Sequence, residues 1–194
     1  GILGMVYVTK RNNFEEIRNE WEDLLPHCST NNIFLTPKWQ AVWWKHFAVE
    51  SELCIISVQD KNEIIGIAPL MLKDGIISFI GDENLFDYQD FIVRQGAEAK
   101  FFKVLCDYLL NINWHAMELT SIPEGSPTLN FFINILESKI NSLELNPDEV
   151  TPVSHLTSSW DEYLFKLSKK QRHELKRKNI LSLKIILLIG TIVI

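Results

Sequence analysis

Between Leu53 and Val93 the chain is patterned as a β-meander, and no other stretch restricts the fold so tightly. Leu53-Cys54-Ile55-Ile56-Ser57-Val58-Gln59 is apolar and β-branched, and Asp60-Lys61-Asn62-Glu63 supplies four polar turn residues. Ile64 to Leu72 returns, Lys73-Asp74-Gly75 turns again, and Ile76-Ile77-Ser78-Phe79-Ile80 follows. After a loop, Tyr88 to Val93 is a fourth predicted strand. Short apolar runs separated by three or four polar or glycine residues are hairpin punctuation. The first three runs are too apolar to alternate cleanly, so helices are expected on both faces of the sheet. Pro69 has no N–H for a ladder, so its strand is expected to be an edge, or bulged or splayed there.

The flanking segments have helical character. Asn13 with Glu16 three residues on is a capping-box pattern, and Phe14, Ile17, Trp21, Leu24 and Leu25 share a helical face that Pro26 ends. Thr36-Pro37 gives an N-cap with proline in the first turn. The helix it opens carries Trp39, Val42, Trp43, Trp44, His46 and Phe47. Two readings of this helix stand: a bulky face packed on the sheet, or an indole lining a ligand groove. Ala97 to Leu110 is a predicted helix, Trp114 to Thr120 a half-buried strand, and Ser126-Pro127 the start of another helix. Val150 to Leu156 is extended, and Ser159 with Glu162 opens a last helix. The order predicts a mixed α/β (α+β) fold, with helices on a largely antiparallel sheet. At 194 residues one principal domain is expected.

Charge divides the chain. Gly1 to Phe165 holds 11 basic and 24 acidic residues, net −13, and Lys166 to Ile194 holds 8 basic and 1 acidic, net +7. Such a split marks a partner or linker region rather than a fold feature. Residues 5–157 are read as the domain, with Met5 as the natural start, and 158–179 as a basic linker helix. Residues 180–194 are read as an apolar tail, non-native or truncated. The run is shorter than a membrane helix needs and contains Lys184. The alternative for it is a strand that completes a partner's sheet and joins copies of the chain. Cys28, Cys54 and Cys106 are scattered, as expected of free thiols in a reducing cytoplasm.

The five histidines show no paired ligand spacing and no Cys-x-x-Cys occurs, so no metal site is predicted. Nucleophile-elbow, P-loop and dinucleotide fingerprints are not found either. Asp87-Tyr88-Gln89-Asp90 stands at a loop-to-strand junction, where a sheet can hold polar side chains toward a site. Asp87 or Asp90 could act as general base toward an amine and Tyr88 as proton donor; loop hydrogen bonding is the alternative. The basic run containing Lys169, Lys170, Arg172, Lys176, Arg177 and Lys178 could contact phosphates or form a solvated face. It has no aromatic platform for bases and the body is acidic, so nucleic acid is not expected as a partner.

Several motifs in order resemble the CelD/BioF-type acetyltransferase-like family of the GNAT superfamily. They are Phe34-Leu35-Thr36-Pro37-Lys38-Trp39 through Phe47, Ile67-Ala68-Pro69-Leu70, Phe79-Ile80-Gly81, Asp87 to Asp90, Ile122 to Ser126 and Leu167 to Lys178. The resemblance implies a GNAT-like fold and acyl transfer from acetyl-CoA or another acyl-CoA to a small-molecule or cell-envelope amine. It also implies two GNAT-like halves, as in the Fem-type aminoacyltransferases, of which this chain is similar to the N-terminal one. On this reading Asp87, Tyr88 and Asp90 are acceptor-side catalytic candidates, and Trp39, Trp43 and Trp44 line the substrate site. Arg172 and Lys176 reach the cofactor from the hinge. The family's CoA pyrophosphate loop, Gln/Arg-x-x-Gly-x-Gly/Ala, is not matched: Arg94-Gln95-Gly96-Ala97 follows the right strand with different spacing. The cofactor is therefore expected mainly on the second half, with this half inactive alone. The rival reading is a non-catalytic GNAT-like module that binds through its tryptophan helix and basic helix.

Overall fold

The computed structural model describes residues 5–140, 143–153 and 178–188. Strand β1 (Val6–Arg11) leads to helix α1 (Arg18–Leu24) and, after two single 3-10 turns, to α2 (Pro37–Phe47). The meander follows as β2 (Glu52–Asp60), β3 (Glu63–Lys73) and β4 (Ile76–Phe79), with a two-residue β5 (Ile92–Val93) after a loop. Then come α3 (Glu98–Leu109), β6 (Ala116–Pro123), α4 (Pro127–Glu137), β7 (Leu143–Val153) and β8 (Lys178–Leu188). One sheet runs β1-β2-β3-β4-β6-β8-β7, with β5 pairing on β3. All pairings are antiparallel except β4 with β6, which run parallel over Ile76–Ser78 and Ala116–Glu118.

Both faces of the meander are buried, as its apolar runs require. Leu53 and Ile55 of β2 point into a cluster with Phe14, Ile17, Trp21 and Trp43 from the α1/α2 side. Cys54, Ile56 and Val58 point the other way, onto Phe101, Phe102, Leu105 and Phe132 from α3 and α4. The period-2 alternation of a strand thus feeds two cores at once. Gly66 sets how closely α3 approaches: a Cβ there would lie 2.2 Å from the Phe101 ring. Caps at both helix starts act as read from sequence. Thr36 Oγ1 accepts from the Trp39 N–H at 3.3 Å, and Ser126 Oγ from the Thr128 N–H at 3.1 Å.

The predicted fourth strand is a correction. Tyr88, Gln89 and Asp90 lie in a loop, and the strand is confined to Ile92–Val93. It also extends the line of β4 rather than adding a new strand. β3 pairs first with β4 (Leu70 with Phe79) and then with β5 (Ile67 with Ile92, Gly66 with Val93). Residues 80–91 leave the sheet between those contacts. Pro69 is the reason. Its carbonyl accepts from the Ile80 N–H at 2.9 Å, so its nitrogen faces the same side and can return no bond. β3 is an interior strand, and of the three alternatives for Pro69 the splay is the one found.

The segment from Ile180, set apart from the domain in the sequence reading, enters this chain's own sheet. Lys178–Leu188 lies between β6 and β7, pairing Ala116 with Leu188 and Leu143 with Leu187. The helix expected from Ser159 and the basic run through Arg177, with Arg172 and Lys176, lie outside the described residues. So do residues 1–4 and 189–194. Among the described residues no helix is long and apolar enough to cross a membrane.

Candidate functional site

The loop 80–91 fills the place where the parallel strands β4 and β6 part. Gln89 stitches the gap. Its backbone N–H donates to the Ser121 carbonyl at 2.9 Å, and its Oε1 accepts from Thr120 Oγ1 at 3.0 Å, both on β6. Its Nε2 donates at 3.4 Å to the Ile80 carbonyl, the acceptor that Pro69 cannot serve. Gly81 admits this side chain: it has φ +141°, and a Cβ there would lie 2.5 Å from Gln89 Nε2. Opposite, β6 gains one residue of bulge between Leu119 and Ile122, with Ser121 at φ 59°.

Asp90 pins the far end of the loop. Its Oδ1 accepts from the Phe91 N–H at 2.8 Å and Thr128 Oγ1 at 2.5 Å, and its Oδ2 from Thr30 Oγ1 at 3.1 Å and Ser126 Oγ at 2.5 Å. A carboxylate offers about four lone-pair positions, so this one is saturated. It is 1% exposed, and burial pushes its pKa up to about 6 against the pull of the four donors. Asp90 therefore ties the loop to Thr30 and to the start of α4, and no oxygen is left to face a substrate. Asp87 is exposed at the loop surface. The Tyr88 ring packs edge-on to Phe34 at 6.3 Å, and its buried hydroxyl makes no hydrogen bond.

The near side of the same loop builds a groove against α2. Phe86, 1% exposed, wedges among Phe34, Trp39 and Trp43, with ring centroids 6.0, 6.3 and 6.2 Å away. Asp82 secures the loop by accepting the Trp43 indole N–H at 2.5 Å and the N–H groups of Asn84 and Leu85 at 2.8 and 3.1 Å. Between these walls lies an open groove of about 470 Å³, bounded by Ile33, Thr36, Lys38, Trp39, Val42, Trp43, Phe47 and Leu85. That volume falls within the range of small-molecule sites.

The α2 face divides between its two readings. The side turned to the sheet carries Pro37, Gln40 and Trp43, whereas Val42 and Phe47 are each 54% exposed. Gln40 is drawn inward because its Nε2 donates to the Phe34 carbonyl at 3.1 Å. Trp39, Val42 and Phe47 are left on the outer side of the helix, where they line the groove. Trp39 and Trp43 line it; Trp44 instead packs, half-buried, against the α1/α2 core. Sequence reasoning missed Asp82 and Phe86, and gave Gln89 no role although it lies in the cluster singled out. The Asx-turn spacing of Asp82 was a usable signal, while Gln89 acts through long-range bonds that no local pattern encodes.

The turn that leads into α3 has its backbone N–H groups taken. Here an acyl-CoA pyrophosphate would take the backbone N–H groups of Gln95, Gly96 and Ala97. Those three already donate to the His27 carbonyl at 2.9 Å, Glu98 Oε2 at 2.7 Å and the Arg94 carbonyl at 3.0 Å. Glu98, 8% exposed, places its own carboxylate where the anion would sit. The turn at Gln95, Gly96 and Ala97 does not fit a CoA pyrophosphate in this arrangement.

No protein-family model matches the sequence, and no curated protein matches it significantly. Solved structures do match the fold. The ribosomal-protein-S18-alanine N-acetyltransferase of Escherichia coli superimposes with a TM-score of 0.55 at 7% identity, over 96% of each chain. A GNAT-family acetyltransferase from Streptococcus pneumoniae has a TM-score of 0.47 at 8% identity, covering 95% of this chain and 100% of its own. Spermidine N-acetyltransferase from Vibrio cholerae, solved with CoA and spermine, has a TM-score of 0.41 at 11% identity, over 97% and 96%. The chain has the GNAT acetyltransferase fold, a mostly antiparallel sheet flanked by helices.

Proposed function

We propose that this chain is the acceptor-side half of an acyl-CoA-dependent N-acyltransferase, of the two-halved CelD/BioF type. The observation that carries the reading is the division between its two candidate sites. The turn into α3 spends the N–H groups of Gln95, Gly96 and Ala97 internally, while the α2 groove is open and of ligand size. A GNAT-fold unit with that pairing suits positioning a substrate for a cofactor held elsewhere. Trp39 and Trp43 would hold the substrate, with Tyr88 and Asp87 on the same loop as the candidate polar groups. Asp90 serves to position that loop. Arg172 and Lys176 stay candidates for the cofactor side, and the acceptor is a small-molecule or cell-envelope amine.

The test has two parts. The 194-residue chain should show no rise in melting temperature with CoA or acetyl-CoA, since a bound ligand raises stability by mass action. A CoA-dependent rise would sink the division of labour. The intact full-length protein should acylate at least one member of a broad amine panel, and loss of that activity in Trp39→Ala should exceed any loss of stability. A uniformly silent panel would leave the second reading, a non-catalytic module. That module would bind through the exposed apolar stripe of α2, the feature in its favour, and through the basic helix.

A further inference from the structure

We propose that the α2 groove takes an α-amino acid with a bulky apolar side chain, its carboxylate at Lys38 and Trp39 and its side chain against the hydrocarbon walls. The inference names the class of amine acceptor and rests on the reading of this groove as the acceptor site. It follows from where the groove keeps its few polar groups.

Much of the lining is hydrocarbon. Ile33, Val42, Phe47 and Leu85 border the groove and are each 42–58% exposed. Covering them is favourable in proportion to the apolar area removed from water. A polar or charged side chain laid there would lose its hydration and regain no partner from these four.

The polar groups gather at the N-terminal end of α2, on Thr36, Lys38 and Trp39. Among the described residues lining the groove Lys38 alone is charged, and no described acid pairs with it. The Trp39 ring is held edge-on by Phe34 and Phe86, and its indole N–H has no acceptor among the described residues. The Trp43 indole N–H, about one turn further on, is taken by Asp82. Thr36 Oγ1 gives its hydrogen to the Ile33 carbonyl and accepts the Trp39 backbone N–H, which leaves one lone pair.

Two free donors, one of them cationic, stand beside one free acceptor. A carboxylate accepts from the donors, and an amino group on the neighbouring carbon donates to Thr36. A simple amine, cationic near neutral pH, would meet Lys38 with no charge of its own to offset it. Asp82 already accepts from Trp43 and two loop N–H groups. An α-amino acid brings its own counter-charge. In the reaction the ammonium first gives one proton to water. Its nitrogen then displaces the thiolate from the acyl-CoA, and the proton that the nitrogen sheds goes to that thiolate. The products are an N-acyl amino acid and free CoA.

The experiment is isothermal titration calorimetry of the 194-residue chain with alanine, leucine, phenylalanine and glutamate. Phenethylamine, phenylalanine methyl ester and 3-phenylpropionate are run alongside. Affinity should rise about two- to fourfold per added methylene from alanine to leucine. Phenylalanine should bind more tightly than each of its three analogues, and glutamate should bind less tightly than leucine. Lys38→Met, at an exposed position, should weaken phenylalanine about two- to fivefold and leave phenethylamine no weaker. Trp39→Phe, which keeps a ring and removes the N–H, should likewise cost phenylalanine more than phenethylamine. The proposal is overturned by phenethylamine or the ester binding as tightly as phenylalanine, by affinity that ignores the side chain, or by no binding at all. It is also overturned if neither variant narrows the gap between phenylalanine and phenethylamine. Phenylalanine binding by a protein whose full-length form acylates no amine would keep this ligand class and remove the acyltransferase reading. Acylation of phenethylamine as readily as phenylalanine would do the reverse.

Discussion

Replacing Asp90 by Asn should make the stability of this protein less dependent on pH, in a direction the burial of Asp90 sets. In the fold its carboxyl is pushed up to about 6 from an ordinary value of 3.8, chiefly by desolvation. The folded state thus holds the proton more tightly than the unfolded chain across that window. The contribution is fully present below the unfolded value and is lost as pH rises through about 6. A gap of about two pH units corresponds to about 3 kcal/mol between the protonation states. Asp90 is 1% exposed, so solvent screening does not dilute the effect. Urea unfolding of wild type and Asp90→Asn at about pH 4 and about pH 7.5 isolates it, because other titrating groups cancel in the difference. Wild type should lose about 2–3 kcal/mol relative to the variant on going from the acid to the neutral condition. A flat difference, or one in which wild type gains as pH rises, would refute the reasoning. It would mean that the four donors from Thr30, Phe91, Ser126 and Thr128 outweigh desolvation and that the carboxylate is the favoured form.

Three further outcomes follow from particular contacts. Gln89→Ala removes the stitch across the β4/β6 gap and should cost about 2 kcal/mol, read as a fall in Tm of about 4–8 °C; an unchanged Tm would show that the loop closes without it. Gly66→Ala places a methyl against the Phe101 ring and should cost about 1–3 kcal/mol by overpacking. Pairing it with Phe101→Leu should recover part of the loss, and full additivity of the two would count against the contact. Native Cys54 and Cys106 are buried, and burial raises their thiol pKa values, to about 11 for Cys106; Cys28 is pushed up to about 12. All three should resist iodoacetamide at about pH 8 until denaturant is added, and rapid labelling by mass spectrometry would contradict the packing.

How much of this was legible in the sequence depended on the range of the interactions. The strands and turns of β2 to β4, the Thr36 and Ser126 caps and the two-sided burial came from local patterning, because hairpin registers and caps are local chemistry. Pro69 announced a defect in its strand but not which kind, since the choice depends on what lies beside it. The orientation of α2 stayed open for a related reason. Hydrophobicity ranks Trp39, Val42 and Phe47 above Gln40 for burial, yet the fold buries Gln40, bonded to the Phe34 carbonyl, and leaves those three at the groove. Asp90 was picked out as a reactive carboxylate by residue type; only its four donors, from segments 30, 91, 126 and 128, show it saturated. The site is thus assembled from long-range polar bonds, which leave no periodicity to read.

The order of strands at the far side of the sheet bears on how the chain can be made and shortened. Among the described residues β7 is hydrogen-bonded into the sheet through β8, although β8 emerges from the ribosome later. While the chain is being synthesised, β6 presents an open edge and β7 has no place to dock until the segment through Leu188 has been released. A protease cut or an early stop codon ahead of Lys178 would therefore remove two strands rather than one. It would also uncover the backbone of β6, beside the bulge at Ser121 on which Gln89 rests.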